Sequence, residues 1–252
     1  MQMSSRFVLS LLVATVSIPT SAQRIDDPRH TQALQRYRSG QELMLSEQFE
    51  QAAREFSGAI ELDPLLAIAH YGLGKSYMAQ KRYASAIQAF VGCREAYSKL
   101  AGMRETNRMT TDRMIDDEVR EMQTAIAMVR GGQSKAYRSN SESKITELEA
   151  RIDDLKRMQR EPVTLFRTPA EVSLSLGSAY FRNGNREAAE TEWKAALQVN
   201  RKLGEAHNNL AVIYMQTDRL DAADEELKLA EKAGFRVNPQ FKADLKQRRS
   251  AR

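Results

Sequence analysis

The sequence predicts an all-α protein: an α-solenoid made of two pairs of helix-turn-helix repeats, interrupted by an antiparallel coiled-coil αα-hairpin. Three observations lead to this reading. One packing pattern is written twice at an interval of 34 residues, so that Leu176, Gly177, Tyr180, Ala189, Trp193 and Ala196 return as Leu210, Ala211, Tyr214, Ala223, Leu227 and Ala230. The same ruler finds two further copies upstream, Gly40, Leu43, Ala52, Phe56, Ala59 and Pro64, then Leu73, Gly74, Tyr77, Ala86, Phe90 and Cys93. Between the pairs, residues 99–167 lose this pattern and carry two heptad seams instead.

The chain opens like an exported protein. Met1 to Arg6 carries one positive charge, Phe7 to Ile18 is almost wholly apolar, and Thr20-Ser21-Ala22 offers small residues for cleavage, which places a signal peptide at residues 1–22 and a mature start at Gln23. The apolar core is too short for a comfortable membrane span of about 20 residues, so no stable membrane insertion is expected after cleavage, an uncleaved anchor being the alternative. The whole chain of 252 residues has 38 basic and 33 acidic side chains. Losing Arg6 with the signal leaves a net charge of +4, a mild surplus that gives no basic stripe for nucleic acid.

Residues 23–98 hold the first pair of repeats behind a leading helix, with Asp27-Pro28 as N-cap and first-turn proline, and Asp63-Pro64 expected to launch the second repeat in the same way. In residues 99–167, Ile115, Val119, Met122, Ile126 and Val129 form one seam and Ile145, Leu148, Ile152 and Leu155 the other. Gly131-Gly132 and the polar run to Ser143 read as the turn between them, and Pro162 as the end of the second arm. Arms of this kind would project about 25 to 35 Å. The interval from Ala67 to Ala170 is close to three repeat periods, so degenerate repeats in a continuous solenoid stay open as an alternative. The hairpin is preferred because a helix bearing Glu147, Glu149, Arg151, Asp153, Asp154, Lys156 and Arg157 is not expected to be buried on two sides. Thr168-Pro169-Ala170-Glu171 reads as a capping box restarting the repeats over residues 168–236, and Asn238-Pro239 opens a capping helix with a basic tail in residues 237–252.

In these residues and their spacing the chain resembles the tetratricopeptide repeat family, of the exported bacterial type. Its signature runs Trp, Leu-Gly, Tyr, Ala, Phe, Ala and a closing Pro. The opening Trp is replaced by Arg36, His70, Ser173 and His207, and the closing Pro survives only as Pro64, while the packing positions are kept. The resemblance implies a non-enzymatic scaffold whose first helices line a concave groove. The matching positions are Tyr37, Arg38, Gln41, Tyr71, Lys75, Met78, Ser178, Arg182, Asn208, Asn209 and Val212. A protein or peptide ligand is expected there, with some negative charge to meet Arg38, Lys75 and Arg182, and a second protein contact at the hairpin. A cell-envelope assembly role, binding an anionic polymer or its export machinery, is the alternative.

Other chemistry is unsupported. Gly72-Leu73-Gly74-Lys75-Ser76 imitates a phosphate loop, but no strand precedes it and it stands in repeat register. The three His residues are scattered, and His70 and His207 share one repeat position and read as packing residues. The Met residues between Met103 and Met158 lack tight ligand spacing, and Cys93 fills a small-residue position. No catalytic set, metal site or cofactor is expected.

Overall fold

A computed structural model describes residues 27–106, 108–131, 141–160 and 168–251. The expected signal peptide and its cleavage site, most of the turn after Gly131, and Pro162 lie outside the described residues. Eleven helices and no strand are found among those described. The first four are α1 (Pro28–Leu45), α2 (Phe49–Leu62), α3 (Ala67–Ala79) and α4 (Tyr83–Thr106). Two longer helices follow, α5 (Arg108–Arg130) and α6 (Ser141–Arg160). The repeats resume with α7 (Ala170–Arg182), α8 (Arg186–Val199), α9 (Gly204–Gln216) and α10 (Leu220–Lys232), and α11 (Pro239–Ser250) closes the array.

In three of the four repeats a bulky ring from the second helix packs against a small residue on the first, and in the fourth Leu227 takes the ring's place. A Cβ on Gly74 would stand 2.5 Å from the Phe90 ring, and one on Gly177 would stand 2.6 Å from the Trp193 indole. Only glycine lets the two helices approach this closely. Phe56 and Phe90 are sealed at 1% and 0% exposure, each burial stabilising by roughly 2–3 kcal/mol.

Four hairpins turn in the same way. Glu47, Lys81, Gly184 and Asp218 take left-handed φ of 58°, 59°, 88° and 59°. Around each, two backbone bonds reach back into the preceding helix, as Gln48 N–H donates to Leu43 (2.8 Å) and Arg219 N–H to Tyr214 (2.8 Å). This closure satisfies carbonyls that the ended helix would otherwise leave bare.

The second repeat pair stacks directly on the first. Ala86 and Phe90 of α4 share a buried cluster with Leu176 and Ala179 of α7, and Cys93, Ala96 and Tyr97 share another with Val172. Arg94 also pairs with Glu192 at 2.8 Å across this joint. At the far end α11 covers the last repeat with buried Leu245, its N-cap Asn238 accepting from Gln240 N–H.

Two start signals are corrected. Asp27 does cap α1, but Asp63 ends α2 and α3 begins only at Ala67. The Asp63 carboxylate is taken up by Leu65 N–H and by His30, at 3.0 and 2.7 Å. At α7 the expected capping box does not form. Pro169 is extended (ψ 144°) and is itself the N-cap, so Thr168 stands one residue too early to cap the helix.

The α5–α6 pair departs most from expectation. The two helices run antiparallel, with Gln159 bonded to Asp112 and Asp116 near one end and Arg130 to Glu149 near the other. Ile115, Val119, Met122, Ile126, Ile152 and Leu155 form one buried cluster between them. The pair does not stand away from the repeats. Arg38 of α1 holds Glu121 of α5, and Arg151 of α6 lies over the ring of Tyr71 of α3 at 5.1 Å. Charge did not keep α6 off a second surface, because Arg151 is received by the aromatic rings of Tyr71 on α3 and Tyr97 on α4 and by Glu118 of its own partner helix α5. The expected boundary at residue 98 also falls inside α4, which continues to Thr106.

Candidate functional site

The first helices α1, α3 and α7 lie side by side and, with α9, carry the face expected to be the inner one. Over α1 and α3 this face is occupied by α5 and α6. Tyr37, Gln41, Tyr71 and Lys75 line a cavity of about 100 Å³ whose other wall is Met122, Met128, Leu148 and Arg151. Such a space holds a few waters or one short side chain and is too small for a peptide.

The covering pair is fastened by charge. Arg38 Nε donates to both oxygens of Glu121 at 2.8 and 3.0 Å, and its Nη2 donates as well. Glu121 is only 3% exposed, so this bidentate contact compensates a carboxylate taken out of water. Deeper in, Tyr97 donates to Glu118 at 2.6 Å and Arg151 donates to Glu118 at 2.8 Å. The Arg151 side chain is buried; burial works against its charge, and Tyr97, Glu118 and Glu171 outweigh that effect. Among the described residues its Nε and Nη1 have no hydrogen-bond partner. Burial raises the hydroxyl pKa of Tyr37, and raises that of Tyr71 to about 12, so both phenols stay neutral donors.

Beyond this lid the inner face opens. A groove of about 600 Å³ runs between α6 and α7 and on to the start of α9. One wall is Thr146, Glu147 and Ala150 of α6; the other is built from Glu171, Leu174 and Ser178 of α7 with Leu203 and Phe235 beyond. Tyr71, Lys75 and Met78 join it from α3, and the Tyr71 hydroxyl meets Ser175 at 3.0 Å. This volume lies in the range of clefts that bury a ligand, about 300–1,000 Å³.

The eleven expected groove residues therefore divide. Tyr71, Lys75, Met78 and Ser178 come together at the open groove, while Tyr37 and Gln41 lie under α5–α6, Gln41 donating to the Tyr37 hydroxyl. Arg38 is consumed by Glu121. Arg182 is exposed at the end of α7, and Asn208, Asn209 and Val212 are half-buried on α9; none of these four lines the cavity or the groove. The expected negative charge on a ligand also loses its support. With Arg38 engaged and Arg182 elsewhere, the groove carries Glu147, Glu171 and Glu205 against Lys75 and Lys202.

Sequence reasoning missed Glu118, Glu121, Arg151 and Glu171. The available signal was Glu118 and Glu121, one helical step apart beside the apolar seam of α5, facing the seam's other flank.

The phosphate-loop imitation fails on geometry. Gly72 to Ser76 lie in the middle of α3, where backbone N–H groups are spent on helical bonds and cannot cradle a phosphate. His207 is buried, bonded to Glu226 at 2.6 Å and to the Arg201 carbonyl at 3.1 Å. Cys93 is sealed, with burial pushing its thiol up to about 12, far from a reactive thiolate.

The profile of the family described as Tetratricopeptide repeat matches residues 37–98 and 174–234, the two stretches in which small-residue and ring positions interlock. The chain belongs to the tetratricopeptide repeat family. The matches leave out α5 and α6, so the lid is an addition to the tetratricopeptide array. Among solved structures, the chain is similar to pilF of Pseudomonas aeruginosa, with 14% identity, 84% of this chain and 81% of that chain covered, and a TM-score of 0.35. It is similar to PilW, described as a widely conserved type IV pilus biogenesis factor, at 16% identity, 83% and 80% coverage and a TM-score of 0.38. It is also similar to YrrB, described as a TPR protein with an unusual peptide-binding site, at 15% identity, 91% and 98% coverage and a TM-score of 0.31. Scores this low carry no functional role over to this tetratricopeptide protein. No curated protein matches the chain.

Proposed function

We propose that this tetratricopeptide repeat protein is an exported, non-enzymatic scaffold that holds a segment of a protein partner in the groove between α6 and α7. The observation that carries this reading is the division of the inner face. Its N-terminal half is filled by the chain's own α5–α6 pair, and an open groove of about 600 Å³ is left where Met78 and Ser178 converge. Rigid helical walls hold this groove in shape before a ligand arrives, which lowers the ordering cost of binding. Export is supported by the N-terminal pattern of one basic residue, an apolar run and Thr20-Ser21-Ala22. Among the described residues no helix is long and apolar enough to cross a membrane.

A photoreactive amino acid placed at Met78 or at Ser178 in the full chain, in cells, tests the groove. The same crosslinked partner is expected from both positions and not from Gln51, which is exposed on α2. Equal labelling from all three positions, or labelling from Gln51 alone, removes the groove as the binding surface.

A further inference from the structure

We propose that the groove selects a peptide carrying a basic side chain, Lys or Arg, for which Glu171 at the groove's base is the counter-charge. The proposal rests on the groove reading above and adds the chemistry of the occupant. Glu171 is the second residue of α7, lines the groove and is 9% exposed. Among the described residues it has no ion-pair partner within 4 Å, and its carboxylate accepts its own backbone N–H. The α7 N-terminus tolerates a carboxylate through the helix dipole, worth about 0.3–1 kcal/mol when exposed. That is small against the cost of burying most of a carboxylate with no bonded counter-ion, and burial accordingly raises its pKa.

The surrounding charges point the same way. Arg151 is a cation that acts on Glu171 from beyond ion-pair range and spends its Nη2 on Glu118, while Asp154 and Glu147 add negative potential. Lys202 on the opposite rim is exposed. An incoming ammonium or guanidinium therefore finds a buried carboxylate ready to accept hydrogen bonds. Met78, Leu174, Leu203 and Phe235 offer apolar surface to the methylene stem of the same side chain and to its neighbours in the peptide. A bare amine would use the carboxylate and waste this surface, so a peptide is the fitting occupant.

Random dodecapeptides displayed on phage and selected on the full protein test the proposal. Enriched clones are expected to share a Lys or Arg flanked by apolar residues. Glu171→Gln is close to isosteric and removes a buried charge, so its melting temperature is expected to stay within a few degrees of the parent. It should weaken the synthetic peptide at least about tenfold, as should replacing the peptide's basic residue by norleucine, and the two losses should not add. Enrichment without a basic residue, or an empty selection, overturns the proposal. Peptides blocked by Ser178→Phe, or by Met78→Phe should the first fail to fold, yet indifferent to Glu171→Gln leave the groove standing and remove its anchor. Peptides indifferent to all of these changes remove the groove as well.

Discussion

Replacing Arg151 with Met asks whether charge holds the α5–α6 lid on the inner face. Breaking a buried ion pair by removing one partner costs about 3–5 kcal/mol, and here Glu118 at 2.8 Å loses its guanidinium. The cation over the Tyr71 ring and the bond Arg151 donates to the Tyr97 hydroxyl contribute about 1 kcal/mol each. Against these stand the Arg151 Nε and Nη1, both buried without an acceptor, whose removal relieves about 1–3 kcal/mol each. Met keeps the stem packed against its neighbours, and Glu118 keeps the hydroxyl of Tyr97. The net expectation is a loss of about 2 kcal/mol, concentrated in the lid. Amides in α6 should then exchange with deuterium about 30-fold faster, while those of α8 and α9 change little. Adding Glu118→Gln, which removes the stranded carboxylate, should recover at least about 1 kcal/mol. Unchanged α6 protection in Arg151→Met, or a double variant no better than the single, refutes the view that this pair fastens the lid.

Two contrasts test the rest of the framework. Gly177→Ala drives a Cβ to 2.6 Å from the Trp193 ring, whose Nε1 is tied to the Leu174 carbonyl at 3.1 Å, and should cost about 1–3 kcal/mol by urea unfolding. Gly58→Ala meets only the movable end of Arg36 and should be neutral or stabilise by about 0.5 kcal/mol from helix propensity, so equal losses at both sites would undo the ring-against-glycine account. Arg219, with Lys194, holds Glu190 down to about 2 from its ordinary 4.5, so its contribution is full above about pH 4.5 and is lost as pH falls toward 2. Because Arg219 and Lys194 are 42% and 53% exposed, this amounts to about 1 kcal/mol, and Arg219→Gln should flatten the acid limb of the stability curve by that much.

The repeats were legible because their packing is local and periodic. A ring on one helix meets a small residue on its neighbour, so Gly74 with Phe90 and Gly177 with Trp193 announce themselves at a fixed interval. The turns were not, since Glu47, Lys81 and Asp218 adopt left-handed backbone without the glycine that would advertise it. Asp63-Pro64 misled because a carboxylate can close one helix as readily as open the next, and His30, far off in the chain, decided which. The lid's place was hidden for a related reason. The apolar seams of α5 and α6 were visible, but their docking on the inner face depends on Arg38 with Glu121 and Arg151 with Glu118, contacts whose partners lie 83 and 33 residues apart. Four of the eleven groove residues met at the open groove, and the rest were covered, paired or set aside by elements that periodicity does not encode.

The joint between α4 and α7 has a consequence for how such a chain can change. Phe90 and Leu176 are fully enclosed there, so the stack continues as though residues 107–167 had never been spliced in. The added helices are a pendant on an unbroken spine. A lineage of such molecules is free to lengthen, recharge or discard the pendant, and so alter what is grasped, without renegotiating the pitch of the spine that carries it.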